Sequence, residues 1–585
     1  MRIRPVLASA TTLSLVALGA QTTAAAAPPT DPIAARVAQL TLEQKVGQLF
    51  ATYVYGASAT APSAADAAAN QSLYGVSTGA EVVAKYHLGS VIYFTWSDNL
   101  NAPTQIATLS NGLQQAAVDT DGTPLLISTD QEGGNVTRIG APLAVSPGNM
   151  AIGATFSPAD SYGMSRATGQ QLKALGITVD DAPVVDVNTN PANTADGPRS
   201  FGDRAIPVSG LSAASVLGYQ SAGVAATAKH FPGLGSTSIN TDNGIAVTDE
   251  TRADFESNDL PPFRAAIAAG TDEIMAAHIV APSLDPSGAP ASLSKPIVTD
   301  LLRGQLHYDG VVVTDALSAA ALENVEPAER AVRAVEAGDD LLLMPSSLPD
   351  AYNAVLAAAH SGRISEARID ESVTRLLKLK QKLGLFNSSQ VDVSAVPGSV
   401  GTPAQNSAAA AVATHSITLV RNQAGTLPLA ADTGAHVLVT GWGLGTTQTL
   451  ASSIATHGVT TQRVYTGSAP SPALINAAVT AANTSDDVVV TTNNAWGDTG
   501  QQALVKALLA TGKPVVVVAL GGPYDLAYFD GAPTYVAAYG YQPATLAQLV
   551  AVLFGAQPGG HLPVTIHRAD DPATVLVPYG TGLQY

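Results

Sequence analysis

The chain has no cysteine anywhere in its 585 residues. That excludes a disulfide framework, a thiolate metal site and a lipid-modified cysteine behind an export signal. Positive charge is scarce as well. Lys and Arg number 28 against 46 Asp and Glu, a formal net charge of -18. Nucleic acid and anionic membranes are recognised through basic surfaces, so this composition fits neither as a partner. Charged residues of both signs reach only 13%, while hydrophobic residues make up 46%, enough for a sizeable core and unlike a disordered chain. Long apolar runs are missing too, except near the N-terminus. There Arg2 and Arg4 precede the uncharged run Leu7 to Ala20, small residues cluster from Thr22 to Ala27, and Pro28 follows. This is the pattern of a secretory signal peptide over residues 1–27, cut near Ala25 or Ala27, because the run falls short of the ~20 residues that span a bilayer. The mature protein is expected to be secreted, with no membrane anchor after cleavage.

From about Ala34 to Leu385 short apolar runs alternate with helical stretches. The runs are Gly89–Phe94, Pro124–Thr129, Thr178–Val187, Val224–Phe231, Glu273–His278, Gly310–Asp315 and Asp340–Pro345, with a weaker eighth within Gln48–Tyr55. Helical patterns such as Ser157–Leu175 and Leu260–Ala269 lie between them; Ser157 with Pro158 is a good helix start. Alternation of this kind implies parallel strands joined by helices. Eight such units predict a (β/α)₈ TIM barrel over residues 33–385, with a doubly wound sheet as the alternative. The helix Ser365–Leu383 closes the region. Residues 386–405, rich in Ser, Val, Pro and Gly, read as a linker. Beyond it, strands at His436–Thr440, Asp487–Thr492 and Pro514–Leu520 and helices at Gln501–Ala510 and Pro543–Phe554 predict a smaller parallel α/β sandwich domain over residues 406–585.

In a TIM barrel the chemistry sits where strands exit at their C-terminal ends. Asp130 follows Pro124–Thr129, Lys229 and His230 close the Val224–Phe231 run, His278 closes another and Asp315 a fourth. Each alone reads equally as a helix cap or a structural hydrogen-bond partner. Together they form a ring of acceptors and donors suited to hydroxyl groups, and neutral sugars are compatible with an acidic protein. Glycoside cleavage further needs two acid–base groups flanking the bond.

The chain resembles glycoside hydrolase family 3, specifically its β-N-acetylglucosaminidase branch. The matching motifs are Leu40 to Phe50, Asp130-Gln-Glu-Gly-Gly134 with Arg138, Ala182 to Val187 with Asn190-Pro191, and Arg199-Ser-Phe-Gly202. They continue with Lys229-His-Phe-Pro-Gly233, Pro290 to Ser294 and Asp309 to Leu317. Beyond the barrel, Ser416 to Asn422, Leu427-Pro428-Leu429 and Leu553-Phe-Gly555 with Gly559-Gly560 are similar to the family's C-terminal domain. The resemblance implies a retaining exo-glycosidase that releases terminal β-linked sugars, N-acetylglucosamine from cell-wall or chitin fragments foremost. It implies Asp315 as the nucleophile, with Asp130, Arg138, Arg199, Lys229 and His230 as substrate-binding residues. No cofactor and no metal ion are expected.

The acid/base motif departs from that pattern. The branch usually continues Lys-His-Phe-Pro-Gly with His-Gly and then an Asp-Ser-His dyad. Here Leu234 replaces the first His, Asn240 stands where the dyad Asp falls, and Asp242 where the catalytic His falls. The β-glucosidase branch often uses a Glu from its second domain, but this chain has no Glu after Glu371. A replacement must be an Asp, a His or a partner residue, and Asp242, in the right loop, is the economical candidate for the acid/base. An ordinary Asp near pKa ~3.9 is a poor acid at neutral pH, so burial or the Asp315 charge must raise it. A β-glucosidase or β-xylosidase of the same family, and a degenerate barrel that binds glycans without cleaving them, are the alternatives.

Overall fold

A computed structural model describes residues 31–585; the segment 1–27 read as a signal peptide lies outside the described residues. Eight short parallel strands form the first domain: β1 (Phe50–Thr52), β2 (Ser90–Ile92), β3 (Leu126–Thr129), β4 (Val179–Asp180), β5 (Ala225–Phe231), β6 (Glu273–Ala276), β7 (Val311–Thr314) and β8 (Leu342–Leu343). They pair in sequence order, β8 also pairs with β1, and a bridge between Val313 and Leu341 completes the ring. The fold is the expected TIM barrel. Ala51, Ile92, Leu126, Val179, Ala225, Met275, Val311 and Leu343 pack into one cluster, a filled interior rather than a pore.

The barrel helices follow from local signals. Ser157 accepts a hydrogen bond from the Asp160 N–H and Pro158 opens the helix Pro158–Ala174. Ser365 caps Glu366–Lys382 in the same way, and that helix buries Ile369, Val373, Leu376 and Leu377. β4 is much shorter than the apolar run Thr178–Val187. Pro183 has no N–H to give a ladder, and pairing resumes only at a bridge between Val184 and Lys229. Residues 386–405 lie against the barrel: Val396 and Val400 are buried in its largest apolar cluster.

The second domain holds β9 (Thr418–Asn422), β10 (His436–Gly441), β11 (Thr460–Tyr465), β12 (Asp487–Thr492), β13 (Val515–Ala519) and β14 (Thr534–Ala537), ordered β9-β14-β13-β12-β10-β11. Helices cover both faces of its valine-rich central strands. The sheet is mixed rather than parallel throughout, because β9 enters antiparallel at the edge beside β14. One of its apolar layers also takes in Met150, Ile152, Phe201 and Leu211 of the barrel. Polar bonds cross as well, from Asn188 Nδ2 to Tyr524 Oη at 2.9 Å and from Gln542 Nε2 to the Gly134 carbonyl at 2.7 Å. The second domain thus sits beside the mouth of the barrel.

Candidate active site

β3 delivers Asp130 at its exit, and the chain then doubles back. The Gln131 side chain accepts from the Arg138 and Ile139 N–H groups and donates to the Ile139 carbonyl. That hairpin returns Arg138 to Asp130, Nη2 to Oδ2 at 3.2 Å. Gly133 makes the turn possible: its φ is +85° and an added Cβ would meet Ser146 at 2.4 Å.

The centre of the site is a chain of buried charges. Lys229, 2% exposed on β5, reaches Asp130 Oδ1 at 2.9 Å and Glu132 Oε1 at 2.7 Å. Arg199 grips Glu132 with two parallel bonds, Nε to Oε2 and Nη2 to Oε1, both 2.8 Å. Burial alone raises both carboxyls, but the neighbouring cations outweigh it: Arg199 and Lys229 for Glu132, Lys229 and Arg138 for Asp130. Both stay below the usual carboxylate range. His230 places Nδ1 2.7 Å from Asp186 Oδ2 and Nε2 3.4 Å from Arg199 Nη2. Burial lowers its pKa, yet the Asp186 carboxylate beside it leaves the net shift upward.

Asp315 leaves β7 with its backbone N–H on the Ala276 carbonyl, and its Oδ1 accepts from the Ala316 N–H at 2.7 Å. Burial raises its pKa, while His278, His230 and the Ala316 N–H bring it below the ordinary value. Burial also lowers the His278 pKa, so at neutral pH this ring is an uncharged donor, Nε2 lying 2.9 Å from the Ala316 carbonyl. The Ala316 N–H and the Lys229 charge favour the ionised form of Asp315.

The loop Leu234–Asp242 is pinned from two sides. Asn190, Asn193 and Thr194 donate to the carbonyls of Ser236, Leu234 and Ser238, while the Ala321 N–H donates to the Thr241 carbonyl at 3.0 Å. Leu234 is buried in the apolar cluster of Phe231 and Phe263, a setting for a hydrocarbon side chain rather than an imidazole. Asp242 is exposed at the rim of the pocket. The packed rim and, next, the Asp315 charge raise its pKa.

Seven of the side chains singled out in the sequence line one cavity of about 510 Å³: Asp130, Arg138, Arg199, Lys229, His230, Asp242 and Asp315; His278, the other strand-exit residue, does not line it and is buried on the Ala316 carbonyl and Ser292. Glu132, Asp196 and, from the second domain, Asn494 and Trp496 line it as well; sequence reasoning did not assign them a role. Glu132 stood inside a quoted motif, but its partner Arg199 lies 67 positions away. Asp186, Asp196 and His230 bring ligand-type atoms within 4.8 Å of one another. The Asp186 oxygens already accept from the His230 ring and the Leu234 N–H, whereas the buried Asp196 Oδ1 has no hydrogen-bond partner. A ring of fixed donors and acceptors around a pocket of this size can hold a sugar, with Asp315 and Asp242 available for acid–base and nucleophilic work.

Known proteins share this sequence pattern and fold. The family model described as the glycosyl hydrolase family 3 N terminal domain matches residues 41–379, and that of the C-terminal domain matches residues 417–585. Beta-hexosaminidase A of Pseudoalteromonas piscicida is 36% identical over 375 residues, 60% of this chain and 62% of its own length. The beta-N-acetylglucosaminidase/beta-glucosidase of Cellulomonas fimi is 33% identical over 363 residues, 60% of this chain and 63% of its own length. The alignments thus span less than two thirds of these two relatives. The solved glycoside hydrolase family 3 beta-N-acetylglucosaminidase of Paenibacillus sp. strain FPU-7 superposes with a TM-score of 0.81 at 37% identity. That match covers 90% of this chain and 99% of the other. The chain belongs to glycoside hydrolase family 3 and has that family's TIM barrel and C-terminal α/β domain.

Proposed function

We propose that the protein is a retaining exo-β-N-acetylglucosaminidase in which Asp315 is the nucleophile and Asp242 the acid/base. The observation that carries this reading is a split between two carboxylates lining one cavity. Asp315 is held below the ordinary Asp pKa, while Asp242 is raised by its packing and by the Asp315 charge. Opposed shifts of this kind divide an ionised attacker from a protonated donor. Asp315 attacks the anomeric carbon as the Asp242 proton passes to the glycosidic oxygen, so the leaving sugar departs neutral. Water then gives a proton to the Asp242 carboxylate and displaces Asp315, restoring the β configuration.

Asp130, Arg138, Arg199, Lys229 and His230 hold the terminal ring through its hydroxyl groups. Asp130 is ionised and accepts; Lys229, Arg138 and Arg199 donate. The names of the related hexosaminidases support N-acetylglucosamine as the sugar. The N-terminal basic, apolar and small-residue pattern supports action outside the cell, on chitin or wall fragments. Among the described residues no helix is long and apolar enough to cross a membrane.

The test is a fluorogenic N-acetylglucosaminide beside the matching glucoside, on wild type and Asp315→Asn. Turnover of the first by wild type and none by the variant is expected. Faster cleavage of the glucoside would change the sugar. Sugar binding without turnover of any glycoside would make the barrel a binder and end the enzyme reading.

A further inference from the structure

Two buried carboxyls meet one imidazole in the wall of the sugar cavity. Asp186 follows the bridge at Val184, Asp196 precedes the short turn Gly197–Arg199, and His230 lies on β5. The three are 1%, 2% and 5% exposed. One ligand-type atom from each falls within 4.8 Å of the other two, and among the described residues no other three such side chains come as close.

Local structure fixes Asp196. The Asn193 side chain accepts from the Ala195 and Asp196 N–H groups and donates to Asp196 Oδ2 at 3.4 Å. That leaves Oδ1 on the His230 side, 3.8 Å from Nδ1 and with no hydrogen-bond partner. Nδ1 itself lies 2.7 Å from Asp186 Oδ2. Arg199 gives Asp196 no relief, because its guanidinium goes to Glu132 and the Ala195 carbonyl. Two carboxyls thus face one ring with no free cation between them, and a buried carboxyl oxygen without a partner is costly.

The chemistry of the missing partner follows from the donor set. An imidazole nitrogen with two carboxylate oxygens suits zinc, whereas Mg²⁺ and Ca²⁺ prefer oxygen alone. Zinc bonds of about 2.0–2.2 Å in a tetrahedron hold their ligand atoms about 3.4 Å apart. The two separations at Nδ1, 2.7 and 3.8 Å, lie on either side of that spacing. Two carboxylates and a neutral imidazole also balance a divalent charge. His230 and Asp196 line the cavity, which supplies an entry route and a fourth position for water.

We propose that Asp186, Asp196 and His230 form a zinc-type divalent cation site in the wall of the sugar pocket. Its ligands are Asp186 Oδ2, Asp196 Oδ1 and His230 Nδ1, with one position open to the cavity. Asp315 and Asp242 are not ligands, and no step of hydrolysis passes through the ion.

The test uses the full chain, stripped with a chelator and titrated with zinc chloride in buffer free of phosphate. Calorimetry should find one tight equivalent, and Mg²⁺ or Ca²⁺ at the same concentration should not displace it. Asp196→Ala and the isosteric Asp196→Asn should each weaken it by roughly a hundredfold or more. His415→Ala, which removes an exposed His–Asp pair at 2.8 Å, should leave it intact. Co²⁺ in the wild-type protein should give the intense visible absorption of a four-coordinate ion, a signature independent of how the variants fold. Zinc should also raise the Tm of wild type and not that of a folded Asp196 variant. Absence of a tight equivalent, an equivalent kept by Asp196→Ala, or one lost with His415→Ala would overturn the proposal and leave a proton or a water between the carboxyls. None of these readouts needs turnover, so the result stands whichever sugar is cleaved.

Discussion

Glu132→Gln keeps the shape of the residue and removes the charge that Lys229 and Arg199 share. Three charge-assisted bonds end on this carboxylate, at 2.7, 2.8 and 2.8 Å, with its own side chain 2% exposed. The amide retains one oxygen and turns an NH₂ towards two cations. Lys229 keeps Asp130, but Arg199 loses its bidentate partner. Breaking a buried pair from one side costs about 3–5 kcal/mol, and the 19% exposure of the Arg199 side chain puts the expectation at the lower end, about 3 kcal/mol. Denaturant unfolding followed by tryptophan emission measures it, with the barrel and C-terminal transitions fitted separately. The sign of the pH dependence is fixed as well. Glu132 has a depressed pKa in the folded state, so its stabilisation is present above the ordinary Glu value and disappears as pH falls towards the folded one. The gap between wild type and variant should stay flat from pH 8 to about 5 and narrow below about 4.5. A variant within about 1 kcal/mol of wild type, with unchanged KM, would refute the claim that Glu132 organises these cations.

Further outcomes follow from the same geometry. The upward shift of Asp242 and the downward shift of Asp315 should give a pH profile that remains active below pH 4 and declines as pH rises through the Asp242 pKa; kcat/KM across pH 3–9 measures it, and Asp242→Asn should abolish the alkaline decline. In phosphate buffer the product should be free sugar, because an ionised Asp242 repels phosphate; abundant sugar 1-phosphate on product analysis would contradict this. His278→Ala should lower kcat by roughly ten- to a hundredfold with little change in KM, because the ring steadies Ala316, whose N–H holds Asp315.

The barrel was legible because its strands are short apolar runs between helical stretches, and the polar residues at three of their exits, Asp130, Lys229 with His230, and Asp315, line the pocket. The sandwich was less so. β11 is an edge strand with mostly exposed, polar side chains and carries no apolar signal, and β9 runs antiparallel, a direction that local pattern does not encode. β4 was overestimated because an apolar run containing Pro183 looks continuous in sequence but cannot pair throughout. In the site, motifs located the residues at strand exits. They did not reveal that Glu132, rather than Asp130 alone, ties Lys229 to Arg199, because that pairing depends on how distant loops meet. Trp496 and Asn494 were out of reach for the same reason: they arrive from another domain. Asp242 was found by register against a motif, and its loop is held by the 190–194 segment on one side and by Ala321 on the other.

The most direct test of the account is to trap the glycosyl-enzyme. A fluorinated N-acetylglucosaminyl inhibitor that slows the second step should add one sugar mass to the wild-type protein. Peptide mapping should place that mass on Asp315, and Asp315→Asn should remain unlabelled. A label on any other residue, or normal turnover by Asp315→Ala, would contradict the assignment of the nucleophile.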